Sequence, residues 1–244
     1  MKHITICSIC TNKSKEGYKP VYAVGEIDSN LMAVCTCSKG HKTLTVLMGD
    51  LFDVLYTSAM YAFIRGCYSE SVMSFTASLE RTYEFFLKVI MIKEGISMET
   101  IDEFWKELKN QSERQYGAFC CQYVKITDRP WRIDSNKVKF RNSVIHKGHI
   151  ATREEVIDYA DYTTQLQMKI LGILKFDFYE EYGKLYFHEK KRTLSARKKI
   201  FEENENIQFN QSSHLSLFRW NDHDVKNVTF EEALKMMKQF DIGW

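Results

Sequence analysis

The chain has 244 residues, 44% of them hydrophobic and 14% aromatic, which is enough for a packed core and excludes a wholly disordered protein. A length in this range fits one large domain, or one medium domain with small attachments. The formal net charge of +2 excludes an argument for nucleic-acid binding from total charge alone, so any such argument must come from local clusters.

Two further global features bear on the fold class and the location of the protein. Only two prolines and eleven glycines occur, which predicts long, rarely interrupted elements and a mainly α-helical fold. No apolar run approaches the roughly 20 residues that span a bilayer, and the start Met1-Lys2-His3 does not resemble a signal peptide. We therefore expect no membrane association and a cytoplasmic protein, in which paired cysteines bind metal more often than they form disulfides.

The first 48 residues contain two clusters of potential metal ligands. The motif over residues 7–10 has two residues between its cysteines, so a tight turn can aim both thiolates at one ion. The motif over residues 35–41 contains a glycine that permits a tight turn and returns His41 towards Cys37. Cys35 lies on the same face of an extended strand as Cys37 and remains an alternative to His41. The expected ligands are Cys7, Cys10, Cys37 and His41.

Short strands are predicted around these motifs, over residues 18–27, 31–37 and 42–48. Strands with paired cysteines at their turns are typical of zinc ribbons, so residues 1–48 are interpreted as a zinc-ribbon-like segment. The expected ligands leave no open coordination position, which favours a structural Zn²⁺ over a catalytic one. The alternative interpretation is a set of buried free thiols without an ion.

Residues 49–176 show helical periodicity and predict a bundle of four or five helices. The first helix follows the N-cap Asp50, the second follows Ser69, and the third follows the N-cap Ser97. Apolar residues recur at helical spacing along each of them, and such stripes are more often core than a cofactor cradle.

The second half of this region is less regular. The pattern breaks over residues 117–130, where Cys120 and Cys121 are interpreted as ordinary buried thiols. A short helix is predicted over residues 138–147 and ends at a glycine. A capping box over residues 152–155 then begins the last long helix of the bundle.

The predicted short helix carries the stretch Arg141-Asn142-Ser143-Val144-Ile145-His146. A permanent cation beside an imidazole is the minimum equipment for acid–base catalysis on a phosphodiester. A long helical pair, a loop, this short helix and a further long helix resemble the HEPN superfamily. That family's motif is an Arg, usually followed by a polar residue, and then a His after four to six residues. The resemblance spans about residues 50–176, and Glu80 looks like the acidic residue that many members carry on the second helix.

The resemblance implies a metal-independent endoribonuclease that acts as a toxin or antiviral defence effector. It implies cleavage of RNA through attack by the ribose 2′-OH, in a composite cleft between the two subunits of a homodimer. The catalytic residues would be Arg141, Asn142 and His146, with Lys147 assisting substrate binding and Glu80 orienting the arginine. An antitoxin or a regulatory protein is a further expected partner.

The spacing of the motif sets a geometric condition on this hypothesis. A five-residue step separates Arg141 and His146 by about 140° on an ideal helix. The two side chains converge only if Arg141 lies at the helix start and a second subunit completes the cleft. His149 is interpreted as a solvated loop residue. The alternative is a non-catalytic HEPN and zinc-ribbon module that binds RNA or a protein partner.

Residues 177–244 are predicted to form a C-terminal extension without a catalytic set of its own. Aromatic side chains precede two basic clusters, residues 190–192 and 197–199, which either guide an RNA backbone or form a solvated helix face. Residues 204–213 are predicted to form a polar loop. A capping box over residues 229–232 predicts a short final helix.

Overall fold

The chain divides into two compact units. The first unit, called the sheet unit below, comprises Met1–Gly49 and Tyr186–His214, and the second, called the helical unit, comprises Asp50–Leu185 and Leu215–Trp244. Residues 177–244 therefore contribute to both units. The computed structural model describes residues 2–12, 20–108, 111–204, 207–212 and 229–239.

The described residues form five strands and nine helices, so the chain is mainly helical with a small sheet, as its composition predicts. The strands are β1 (Lys2–Ile6), β2 (Tyr22–Glu26), β3 (Met32–Cys37), β4 (Lys42–Leu47) and β5 (Gln208–Ser212). The helices are α1 (Ser8–Asn12), α2 (Leu51–Ile64), α3 (Tyr68–Lys93), α4 (Met98–Leu108), α5 (Ser112–Thr127), α6 (Ser135–Lys147), α7 (Arg153–Asp177), α8 (Tyr179–Glu203) and α9 (Phe230–Gln239). Within the described ranges, none of these helices is both long enough and apolar enough to cross a bilayer.

The five strands form one sheet in the order β1-β2-β3-β4-β5, antiparallel throughout except for the parallel pair β4–β5. The strands predicted over 31–37 and 42–48 are confirmed as β3 and β4. The loop predicted over 204–213 is wrong, because Gln208–Ser212 pairs with β4. Its sequence, Gln-Phe-Asn-Gln-Ser, lacks apolar alternation, and the pairing partner lies more than 150 residues earlier in the chain.

Gly25 on β2 permits a close approach between the backbones of β2 and β3. A Cβ atom at Gly25 would lie 2.4 Å from the carbonyl oxygen of Val34, so only glycine allows this approach to β3. The two edge strands meet through a side-chain hydrogen bond, in which Asn210 Nδ2 on β5 donates to Thr5 Oγ1 on β1 at 2.7 Å. The contact covers part of both edges, which would otherwise be open to further strands.

Both faces of β3 are buried, because its successive side chains enter two different clusters. One cluster contains the cysteines together with Ala23 and Ala33. The other contains Met32, Leu44 and Val46, and Ala196 and Ile200 of α8 pack against it. The C-terminal part of α8 therefore covers the sheet face that the N-terminal segment alone would leave exposed.

In the helical unit α3 is the central element, and it packs against α2, α5, α6 and α7. A buried polar chain links α3 to α7: Gln167 Nε2 donates to Ser78 Oγ at 2.8 Å and to Thr82 Oγ1 at 2.9 Å. A second link joins α2 to α7 through the hydroxyls of Tyr56 and Thr164, which are 2.7 Å apart. These hydrogen bonds favour one packing arrangement of the three helices, although Gln167 Oε1 is buried without a partner among the described residues.

The irregular stretch predicted over residues 117–130 is wrong, since residues 112–127 form α5. The helix accommodates Gly117, at a cost of about 1 kcal/mol relative to Ala, because it buries Phe119 and Tyr123 in a large aromatic cluster. Cys121 is exposed and Cys120 only partly buried, so the interpretation of both as buried thiols is also wrong. The cluster comprises Tyr83, Phe86, Phe119, Tyr123 and Trp131.

The predicted helix ends around the Arg–His motif are close to the observed ones. The helix predicted over 138–147 is α6, which begins three residues earlier, where Asp134 accepts a hydrogen bond from the Asn136 amide. It ends at Gly148 in the left-handed region, with φ of 70°. The capping boxes predicted over 152–155 and 229–232 are confirmed by reciprocal side-chain and backbone hydrogen bonds.

Candidate functional site

Four potential metal ligands converge in the sheet unit: Cys7, Cys10, Cys37 and His41, whose ligand atoms all lie within 4.8 Å of one another. Cys10 Sγ and Cys37 Sγ are 3.8 Å apart. The distances from His41 Nδ1 to the three sulfurs are 3.8, 3.1 and 3.5 Å, for Cys7, Cys10 and Cys37 respectively. A tetrahedral Zn²⁺ site has S···S edges of about 3.8 Å and S···N edges of about 3.5 Å, so donor types and spacing fit zinc.

Two turns bring the ligands together. Cys7 directly precedes α1, whose single turn places Cys10 back beside it. At the β3–β4 turn, Cys37 N donates to the His41 carbonyl at 3.1 Å, and Gly40 has φ of 79°. The glycine removes the steric penalty of that left-handed position, which is why the chain returns to the site within four residues.

The thiols of the cluster are held in different electrostatic environments. Burial, with hydrogen bonds from the neighbouring thiols, raises the pKa of Cys10 to about 11. Burial also acts to raise the pKa of Cys37, but the amides of Lys39 and His41 and the two other thiols outweigh it and lower that pKa to about 6. Cys37 is therefore the first of these two donors to ionise, and a metal ion would displace the remaining thiol protons.

Cys35, the alternative ligand, lies outside the cluster. Its Sγ lies 3.8 Å from the carbonyl oxygen of His3, and burial raises the pKa of its thiol. Cys35 is not among the residues whose ligand atoms converge within 4.8 Å of one another. The structure thus brings together the preferred set that includes His41.

Arg141 lies in the middle of α6 rather than at its start, so the condition for direct convergence with His146 is not met within one chain. Its Nη2 donates to Glu80 Oε1 of α3 at 3.0 Å, and its Nη1 donates to Asn142 Oδ1 at 3.1 Å. Both partners of the ion pair are about a quarter exposed, at 28% each. The structure therefore brings Arg141, Asn142 and Glu80 together at the surface of the helical unit.

His146 lies in the last turn of α6 and is exposed, as is its neighbour Lys147. Among the described residues neither side chain has a hydrogen-bond or ion-pair partner, and neither contacts Arg141. An imidazole at the surface without an internal partner is free to meet a ligand or a second protein chain.

His149 has a different environment from the one predicted for a solvated loop residue. Its Nε2 lies 3.1 and 3.0 Å from the two carboxylate oxygens of Glu155. A carboxylate only accepts hydrogen bonds, so Nε2 carries the proton that is shared with it. Backbone hydrogen bonding from Thr152, followed by the contact with His149, lowers the pKa of Glu155. Sequence reasoning missed this pairing, although the capping box had already placed Glu155 close to the turn.

No protein-family model, curated protein or solved structure matches this chain. The resemblance to the HEPN superfamily therefore depends on the Arg–His motif and the order of the helices around it, and it stays a prediction.

Two cations of the basic clusters of α8 are engaged within the sheet unit. Lys190 is buried and its Nζ donates to the carbonyl oxygens of Gly49 at 2.6 Å and Leu47 at 3.4 Å. Arg197 stacks on Phe209, with 4.6 Å between the guanidinium carbon and the ring centroid. These two cations serve the packing of the unit. Lys191, Lys198 and Lys199 are exposed, which fits either of the two interpretations of the clusters.

Proposed function

We propose that this chain is an endoribonuclease of the HEPN type, whose cleavage site is completed by a second copy of the chain. The observation that carries the proposal is that Arg141, held by Glu80 of α3 and by Asn142, lies on the same helix as an exposed His146 that has no partner among the described residues. RNA supplies its own nucleophile, the ribose 2′-OH, so a site of this composition needs only a cation and proton-transfer groups. A toxin or antiviral defence role follows from the same resemblance and is part of the proposal.

The contacts with Glu80 and Asn142 leave Arg141 able to bind a phosphate. A guanidinium has two N–H bonds on each terminal nitrogen, and Glu80 and Asn142 occupy one on each. The remaining terminal N–H bonds can hold two oxygens of a phosphodiester through parallel hydrogen bonds. Because Glu80 and Asn142 fix the side chain, little conformational entropy remains to be lost when the phosphate binds.

The two histidines of a dimer would perform the proton transfers. One His146 accepts the proton of the 2′-OH as the 2′-oxygen attacks phosphorus, and the other donates a proton to the departing 5′-oxygen. The P–O5′ bond breaks, leaving a 2′,3′-cyclic phosphate and a 5′-hydroxyl end. Arg141 stabilises the negative charge that grows on the phosphate oxygens.

Two features of the chain support a dimer at this surface. Within one chain His146 projects about 140° away from Arg141 around the helix, so a second subunit is needed to complete a site. Ile150, four residues after His146, is 84% exposed and would add apolar area to a contact at this surface. A two-fold contact near residues 138–150 would bury it and bring two copies of the motif together.

The test is cleavage of RNA by the purified protein in the presence of a chelator, with His146→Ala and Arg141→Ala beside wild type. We expect each variant to lose at least about a hundredfold in rate, because His146→Ala removes a general acid–base group and Arg141→Ala removes the cation that stabilises the transition-state charge. His188→Ala, which removes a histidine of the other unit, is the matched control and should retain activity. Equal cleavage by wild type and both variants would exclude the proposed mechanism.

A second candidate function is favoured by one observation: Glu80 already neutralises Arg141. An arginine of this kind is also suited to a non-catalytic module that binds RNA or a protein partner. Tight RNA binding without cleavage of any RNA tested, and without new 2′,3′-cyclic phosphate ends, would support that function instead.

A further inference from the structure

The outward face of α6 carries cations that the Arg–His motif does not include. Helix α6 contains four Lys or Arg residues and no Asp or Glu over Ser135–Lys147. Two of the four have acidic partners within the helical unit: Arg141 pairs with Glu80, and Lys137 pairs with Asp158. The other two, Lys139 and Lys147, are exposed and have no acidic partner among the described residues.

The helical spacing places Lys139 on the face of His146. They are seven positions apart, so on an ideal helix their side chains point in directions that differ by only about 20°. Along the helix axis they are about 10.5 Å apart. Asn142 lies between them, about 40° from His146. The buried Val144, by contrast, lies about 160° from His146, so it marks the opposite, inward face of the helix.

We propose that Lys139 binds the backbone of single-stranded RNA at a phosphate next to the one that is cleaved, so that the strand runs along the outward face of α6. This inference rests on the proposed function and assigns its substrate contact. Arg141 is turned towards Glu80 on α3 and lies about 160° around the helix from Lys139. In the composite site, the Arg141 of one chain therefore holds the scissile phosphate beside the His146 and Lys139 of the other chain. Lys139 supplies the cation that keeps the strand on the face that carries His146.

The charge and exposure of Lys139 suit it to a phosphate contact. A lysine side chain is a flexible point charge and contacts a phosphate without demanding one geometry, which suits a substrate of variable sequence. Each phosphate that a lysine or arginine neutralises releases counterions. For single strands, the logarithm of the binding constant then falls with the logarithm of the salt concentration, with a slope of about 0.7 for each contact. At about 0.1 M salt, the loss of one such contact therefore lowers the affinity about fivefold.

The experiment measures binding separately from cleavage. A short fluorescein-labelled 2′-O-methyl oligonucleotide lacks the nucleophilic hydroxyl, so the protein cannot cleave it by the proposed route. Its dissociation constant is measured by anisotropy between about 50 and about 200 mM salt. The variants are Lys139→Ala and Lys139→Arg, and Lys106→Ala on α4 is the control, because Lys106 is an exposed lysine of the same unit.

We expect Lys139→Ala to weaken binding about fivefold at about 0.1 M salt and to reduce the salt slope by about 0.7. Lys139→Arg should restore both values, and Lys106→Ala should leave them unchanged. Unchanged affinity and slope in Lys139→Ala, in a protein that still cleaves RNA, would overturn the inference while leaving the proposed function standing. Failure of wild type to bind or cleave any RNA would overturn both.

Discussion

The metal-ligand cluster and the Arg–His motif were both recognised in the sequence from the short spacing of their residues. They differ in whether the residues of a single chain come together in the folded structure. In the sheet unit, the ligand atoms of Cys7, Cys10, Cys37 and His41 come within 4.8 Å of one another. In the helical unit, Arg141 is anchored by Glu80 and Asn142, while His146 stands apart at the surface.

The difference follows from the local backbone. A two-residue gap at a turn, or a glycine between two ligands, folds the chain back on itself, so nearby residues point at one place. A regular helix instead turns by about 100° per residue, so a five-residue step points two side chains in different directions. Chelating motifs thus define a site by themselves, whereas a helical motif defines only half of one.

The largest expected effect tests whether the residues of one chain form the metal site. Cys37→Ser should abolish metal binding and unfold the strands around it, because structural zinc contributes about 10–16 kcal/mol of apparent binding free energy in small domains. Metal analysis should give about one zinc per chain for wild type. Hydrogen exchange should show lost protection in β3 and β4.

Cys35→Ser is the matched control for that variant. It places a hydroxyl in a buried position and should lower the free energy of unfolding by about 1–3 kcal/mol, because the hydroxyl loses its hydration there. It should nevertheless keep the metal, because the Cys35 thiol lies outside the cluster. Equal loss of metal from both variants would contradict the ligand assignment.

The next effect tests whether a second chain completes the Arg–His site. Ile150→Asp should raise the dissociation constant of the dimer on the order of a hundredfold, because an unpaired carboxylate would be buried at the contact. Light scattering should then find a monomer at concentrations where wild type is dimeric, and cleavage should fall with the dimer population. Val124→Asp, at an exposed apolar position on α5, should change neither.

A smaller effect concerns the orientation of the arginine. Glu80→Gln should lower kcat/KM about tenfold, because the guanidinium loses the charge that fixes it. Stability should change by less than about 1 kcal/mol, since the ion pair is partly exposed. Glu84→Gln, one turn further along α3, breaks the contacts with Arg81 and Lys88 instead and should reduce stability without changing cleavage.

The smallest effect concerns the start of α7. Glu155→Ala should reduce the free energy of unfolding by about 1 kcal/mol, because it removes the capping box and the partner of His149. The pKa of Glu155 is lowered from its ordinary value of 4.5, so its contribution is complete above that pH and is lost as the pH falls through the folded value. Denaturant unfolding of both proteins at neutral and acidic pH measures this, and a difference that grew with acidity would contradict it.

Sequence reasoning succeeded where the signals are local. The cysteine spacing, the turn glycine at position 40 and the two threonine capping boxes each depend on a few neighbouring residues. It failed where distant contacts decide. The polar strand β5 forms because it pairs with β4 and makes a hydrogen bond with Thr5. Helix α5 forms despite Gly117 because its aromatic side chains pack on α3.

Sequence reasoning also missed local signals beside the candidate active site and in α5. The helix that carries Arg141, Asn142 and His146 begins at Ser135, three residues before the predicted start. Asp134, an ordinary N-cap residue four residues before that start, was the missed signal, and it places Arg141 in the middle of α6. A stripe of Gln115, Phe119 and Tyr123 at four-residue spacing was the available signal for α5.

The most direct test of the composite site is the activity of a defined heterodimer. One wild-type chain and one His146→Ala chain carry different affinity tags, are co-expressed, and are purified through both tags in turn. If one cleft uses the histidines of both subunits as base and acid, the heterodimer will be as inactive as the His146→Ala homodimer. A heterodimer that retains half of the wild-type activity would show that each chain cleaves RNA by itself, and it would contradict the composite site.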